Sequence, residues 1–244
     1  MRDRFSSDRL DGLQAWYRST LGMAVARIEC ACVQRLLTNV FGYYLVQVGP
    51  PNVYGEALAI SRIRQRILIS PFSLAPSGEG MCILSDLSAL PLASDSVDAI
   101  LLPHVLEHCP QPRAVLAEVE RVLIPEGRLV LTGFNPLGLW RLSRLWRPTD
   151  GYPPGRFYLA AQVEHWLSEQ GFEIESRDYA LFGSPLGRHA QSIEDLGRRF
   201  WAPLGGLYAI RAVKRVATLT PIKPYRCERH VLLPSGAMRP IVRG

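Results

Sequence analysis

The sequence predicts a doubly wound α/β sheet, and three observations carry that prediction. Val97-Asp-Ala-Ile-Leu-Leu102 is an apolar run broken only by Asp98, the mark of a strand covered on both faces, as in a parallel sheet. Pro112 to Leu123 places Val115, Val119, Val122 and Leu123 on one helical face, with Pro112 suited to the first turn. Short apolar runs alternate with such helical patterns along most of the chain.

Taken in order, residues 1–12 are polar and charged and read as disordered. From Leu13 to Val40, apolar residues including Val25, Ile28, Cys32, Leu36, Leu37 and Val40 recur at three- and four-residue steps, predicting one helix closed by Gly42. Tyr44–Val48 reads as a buried strand and Tyr54–Arg64 as a helix. Arg66–Ser70 is a second strand, stopped by Pro71, and Met81–Leu84 a third, ending at Asp86. Val97–Leu102 is the fourth, where Asp98 is expected to cap backbone amides or start the strand. Pro125-Glu-Gly127 ends the following helix, and Arg128–Thr132 begins a fifth strand. Ala160–Gln170 is a helix closed by Gly171, Phe172–Tyr179 is strand-like, and Gly206–Val213 is the last strand. The domain division is an N-terminal helical extension (1–40), a sheet domain (41–215) with an inserted cap (135–157), and a basic tail (216–244).

The chain has 244 residues, 48% hydrophobic and 20% charged, which fits one well-buried globular domain with decorations. No apolar run reaches the roughly 18 residues of a membrane span. The start lacks the apolar stretch of a signal peptide, so the cytoplasm is the expected compartment. Its five cysteines have no framework spacing and read as buried thiols. The net charge of +6 is uneven: from Arg211 onward eight basic residues face one acid, Glu228. Such a tail is solvated, or steers toward an anionic partner; nucleic acid is the less favoured reading, because no RNA-binding module motif accompanies it.

In a doubly wound sheet the ligand sits beyond the carboxyl ends of the strands, which directs attention to Gly49–Asn52, Ser70, Asp86-Leu87, Pro103-His104 and Gly133–Pro136. His104 and His108 are candidate general bases, because a neutral imidazole accepts a proton near pH 7. Two such ligands with no third predict no metal site, and HVLEH is not the zinc-protease pattern.

The stretch from Ser85 to Pro136 carries five ordered pieces: Asp86; Leu90-Pro91-Leu92; Ser96-Val97-Asp98; Glu120-Arg121-Val122-Leu123; and Pro125-Glu126-Gly127. In these it resembles the class I S-adenosylmethionine-dependent methyltransferases of type 11, the small-molecule group. LLPHVLEH, GFNPLGLW and GLYAIRAVKR resemble a narrower bacterial subgroup. The resemblance implies a Rossmann-like sandwich over about residues 40–215, S-adenosylmethionine as cofactor, and an unidentified methyl acceptor, in this group a small molecule. It implies that Gly49 lets the backbone pass close to the cofactor. Gln47 stands where the family usually has an acid for the cofactor's amino-acid end. By the same resemblance Asp86 bonds the adenine amino group, Leu87 contacts the ring, and His104 follows the fourth strand near the methionine portion. Ser70 is the nearest polar residue to the missing acid that grips the ribose.

The glycine loop is reduced to Gly49-Pro50-Pro51-Asn52, and proline offers no N–H. A pyrophosphate needs those amides, so the loop argues against a dinucleotide; S-adenosylmethionine carries no phosphate. The segment Asn135–Phe157 brings Trp140, Trp146, Arg141, Arg144, Arg147 and Arg156 together, as a cover for the acceptor, an amphipathic helix on the sheet edge, or both. The alternative to an enzyme is a methyltransferase-like chain that has lost turnover and serves as a binding or scaffold protein.

Overall fold

The computed structural model describes residues 7–49, 54, 58, 62–70, 81–138, 155–183 and 190–216. Pro50–Asn52, Glu56, Pro71, the central part of the expected 135–157 cap with its two tryptophans, and the tail from 217 lie outside the described residues, as does most of the helix expected over 54–64.

Among the described residues seven strands form one sheet: β1 (Tyr44–Val48), β2 (Gln65–Ser70), β3 (Met81–Leu84), β4 (Val97–Pro103), β5 (Leu123–Phe134), β6 (Phe172–Ala180) and β7 (Leu207–Lys214). Their order is β3-β2-β1-β4-β5-β7-β6. Strands β1 to β5 are parallel to one another, whereas β7 runs antiparallel to both β5 and β6. Strand order reverses between β1 and β4, which opens a crevice at their carboxyl ends.

The apolar runs of the central strands are explained by two covered faces. Val46, Val48, Ile100, Leu102, Leu129 and Leu131 join one core with α4 (Pro112–Val122) and α5 (Ala160–Glu169). The alternate residues Leu45, Ala99, Leu101 and Val130 join a second core with α1 (Ser7–Tyr17) and α2 (Thr20–Leu37). Each fully buried Leu or Val contributes about 1.5–3 kcal/mol. Asp98 accepts hydrogen bonds from the amides of Tyr43 and Tyr44, both 2.9 Å, so its expected capping role holds. At the same amino end of β4 and β5, buried Lys214 bonds Asp95 and the carbonyls of Glu120 and Leu123, each at 2.8 Å.

The structure corrects several expectations. Residues 7–12 are helical, since α1 begins at Ser7 and buries Leu13, Trp16 and Tyr17. The single helix expected over 13–40 is two: Ser19 caps α2, its hydroxyl accepting from the Gly22 amide at 3.0 Å. Gly42 is not the cap of α2, which ends at Leu37; a Cβ there would lie 2.3 Å from the Asp98 side chain. Strand β5 starts at Leu123, five residues earlier than expected, because Leu123 already pairs with Val97. The turn at Pro125–Gly127, with Glu126 at φ 63°, sits inside the strand as an irregularity. The sequence reading missed α6 (Ala190–Phe200); between β4 and α4 lies the short α3 (Val105–His108).

A Cβ on Gly22 would sit 2.1 Å from the carbonyl oxygen of Trp16, so α1 can fold back on α2 only with glycine there. Gly22→Ala is expected to lower stability by about 1–3 kcal/mol, read as a lower urea midpoint at unchanged m-value.

Candidate functional site at the carboxyl edge of the sheet

Every residue singled out for the cofactor lies along the carboxyl edge of β1 to β4. Gln47 pairs in register with Leu68 of β2 and Leu101 of β4 and is buried. Gly49 follows β1, at φ 120°, its amide donating to the Ile69 carbonyl at 2.9 Å. A Cβ on Gly49 would meet Val105 Cγ2 at 2.8 Å and the Pro103 carbonyl at 3.3 Å. The open flank of this glycine therefore makes room for the turn after β4. Ser70 ends β2 with 1% exposure, and its carbonyl accepts from the Ser85 amide. Asp86, just beyond β3, is exposed; its Oδ1 accepts from the amide (2.9 Å) and hydroxyl (2.7 Å) of Ser88. Leu87 beside it is fully buried.

His104 follows β4 directly. Its backbone is left-handed, φ 52° and ψ 17°, a conformation that costs a non-glycine residue about 1–2 kcal/mol. Its amide donates to the Thr132 carbonyl, and its ring stacks on Phe134 with centroids 4.1 Å apart. Both ring nitrogens face carboxylates: Nδ1 is 2.9 Å from Glu107 Oε2, and Nε2 is 2.9 Å from Glu29 Oε1. All three side chains are buried.

Glu29 comes from α2 and is saturated. Its Oε1 also accepts from the hydroxyls of Tyr54 (2.5 Å) and Thr132 (2.6 Å), and its Oε2 from Tyr17 at 2.7 Å. Glu107 Oε1 accepts from the Phe134 amide. Burial by itself would raise Glu29, but the His104 charge 2.9 Å away, an ion-pair contact without hydrogen-bond alignment, and the bonds from Thr132 and Tyr54 outweigh it, holding the carboxyl below its usual range. Burial works against the His104 charge, yet Glu29 and Glu107 raise its pKa to about 10. Burial also leaves Glu107 raised, although His104 and the Phe134 amide pull it down. Tyr17 and Tyr54 are pushed well above the phenolic range, first by burial and then by the Glu29 charge.

This arrangement revises the reading of the two histidines. With its pKa raised to about 10, His104 is an imidazolium at pH 7, held against the Glu29 carboxylate with Glu107 on its other nitrogen, and has no lone pair with which to act as a general base. It precedes α3 as its cap, so it does not share a helical face with His108, which is buried near Gly155. Among the described residues, no three His, Cys, Asp or Glu side chains converge to hold a metal. No described helix is long and apolar enough to cross a membrane.

Sequence reasoning missed Glu29, Tyr17, Tyr54 and Thr132. One signal was available: Glu29 stands four residues after Val25 and three before Cys32, on the stripe that α2 buries. A carboxylate on an apolar stripe needs internal partners.

The residues at the edge suit S-adenosylmethionine better than a nucleotide phosphate. Among the groups it would present, the ammonium, the adenine amino group and the ribose hydroxyls can donate, whereas its carboxylate accepts. The edge supplies acceptors in Asp86, Gln47 and Ser70 and an apolar wall at Leu87.

Comparison with known proteins bears on this geometry. The family described as Methyltransferase domain matches residues 60–131. The uncharacterized protein YafS of Escherichia coli is 33% identical over 211 residues, covering 83% of this chain and 82% of that protein. A malonyl-[acyl-carrier protein] O-methyltransferase of Methylococcus capsulatus is 37% identical over 119 residues, 48% of this chain and 43% of its own. Among solved structures, the N-methyltransferase NodS of Bradyrhizobium japonicum in complex with S-adenosyl-L-homocysteine aligns with a TM-score of 0.56 at 15% identity, covering 85% of this chain and 99% of that one. A possible histamine N-methyltransferase of Thermotoga maritima gives 0.58 at 17%, covering 84% and 96%.

The His104 cluster sets a pH dependence. A histidine raised on folding stabilises most below its unfolded pKa of 6.5, and that contribution is lost as pH rises toward about 10. The urea midpoint is expected to fall steadily across that window, and His104→Asn, which tolerates the left-handed backbone, to flatten the slope.

Proposed function

The chain belongs to the class I S-adenosylmethionine-dependent methyltransferases, and we propose that it methylates a small-molecule acceptor at the carboxyl edge of β1 to β4. One observation supports this placement above others: Gln47, Gly49, Ser70, Asp86, Leu87 and His104 all lie at the carboxyl ends of the adjacent strands β1 to β4, which flank the reversal of strand order between β1 and β4. The cofactor supplies an activated methyl group on a sulfonium, so the protein's work is to bind, orient and exclude water.

In this reading Asp86 accepts from the adenine amino group, Leu87 forms the apolar wall for the ring, and Gln47 and Ser70 supply acceptors to the amino-acid and ribose ends. His104 contributes a fixed positive charge and a rigid turn. Gly49 serves indirectly, by letting Val105 and Pro103 approach β1. An acceptor whose nucleophilic atom is already unprotonated at neutral pH, a carboxylate for example, suits an edge where His104 cannot take a proton. His108 remains the candidate base for acceptors that must lose one.

Calorimetric titration with S-adenosylhomocysteine tests the placement. Binding in the low micromolar range by the native protein is expected, with a loss of about tenfold to a hundredfold in Asp86→Ala, the worth of one charge-assisted hydrogen bond. Because Asp86 is exposed and bonds Ser88 within its own turn, the thermal midpoint should move by no more than about 2–4 °C. Unchanged affinity in Asp86→Ala removes Asp86 from the site. The absence of heat from the native protein at millimolar ligand favours the non-catalytic, partner-binding reading, whose motive is the proline loop.

A further inference from the structure

We propose that Glu29 is a positioning residue of the cofactor site, acting through His104 to set the turn at the carboxyl end of β4. The inference rests on the methyltransferase reading above and extends the site to the N-terminal helices, which lie outside the matched residues 60–131.

Glu29 is not placed by packing, since an apolar residue would fill its position on α2 at less cost. Four groups converge on it, each from a different part of the fold: Tyr17 of α1, Tyr54 after β1, His104 after β4 and Thr132 of β5. Three of these four follow or end strands at the edge where the cofactor binds. His104 carries the effect onward. Its left-handed backbone joins Pro103 to Val105, and Val105 and Pro103 fill the flank of Gly49. A change at Glu29 therefore reaches the β1 loop through three contacts. The titratable groups facing His104 are Glu29 from α2 and Glu107 from α3, with Tyr17 and Tyr54 behind Glu29; β5 contributes Thr132 and Phe134, which do not titrate.

The test is the affinity for S-adenosylhomocysteine of the native protein and of Glu29→Gln, measured from about pH 6 to 8.5, with the His104 ring followed by NMR. The ratio of the two affinities cancels the ligand's own titration. With one of its two carboxylates gone, His104 should titrate within the range. The affinity of the variant relative to native should then fall by about tenfold from the bottom of the range to the top. Should Glu29→Gln not fold, Glu29→Asp, which retracts the carboxylate from His104 while keeping the charge, is measured in the same way, and a smaller pH-dependent loss in the same direction is expected. A constant ratio while the His104 signal titrates overturns the inference and leaves the methyltransferase reading standing. No binding by the native protein at any pH overturns both.

Discussion

A carboxylate without access to water must find every partner inside the protein, and Glu29 is such a carboxylate. Its requirement organises the carboxyl edge of the sheet. Two phenols, one hydroxyl and one imidazolium satisfy it, and each can do so only if its own segment is in place. α1 must fold back on α2 to deliver Tyr17, which is why Gly22 leaves no room for a side chain against Trp16. His104 must leave β4 in a left-handed turn to aim one nitrogen at α2 and the other at α3. The backbone strain at His104 is thus offset by two ion pairs and by stacking on Phe134, itself held by Trp16 at 5.8 Å and Phe157 at 6.0 Å. The N-terminal helices are part of the sheet domain's edge as well as a cover for its second core.

The loop after β1 meets a different constraint. A phosphate-binding loop needs amide donors, and Pro50 and Pro51 supply none. The ammonium, amino and hydroxyl groups of the proposed cofactor ask for acceptors, and Gln47 in β1, Ser70 at the end of β2 and Asp86 beyond β3 carry them. The glycine that remains is kept for a reason internal to the protein, the crossing of β1 with the turn after β4.

Much of the fold was legible because its signals are local. Val97–Leu102 announced a strand covered on both sides, and α4 announced itself through a single apolar face and Pro112. Asp98 was read correctly as a capping residue because its position at the strand start leaves few alternatives. Other elements were hidden for identifiable reasons. The break between α1 and α2 is silent in the periodicity, since Leu13, Trp16 and Val25 face the same core on both sides of it. α6 carries Gly197 in its interior, a residue that lowers helix propensity; it is there because a Cβ would lie 2.2 Å from the Phe182 ring. The carboxyl edge was legible as a place, from strand ends alone. Its electrostatics were not, because Glu29 and His104 are 75 residues apart in sequence and their ion pair exists only after folding.

That separation changes what His104 means chemically. Read in the sequence, a histidine after a strand is a titrating group near neutrality. Read in the structure, it is a cation held between two acids, and its proton is part of the fold. Proton removal is therefore not available at the turn after β4 without dismantling the cluster that shapes that turn. A site built this way favours alignment over acid–base chemistry. The step it has to promote, displacement at a methyl group that leaves without its electrons, makes the same demand. Stability and positioning here draw on the same three side chains, so an alteration to either carboxylate registers in both.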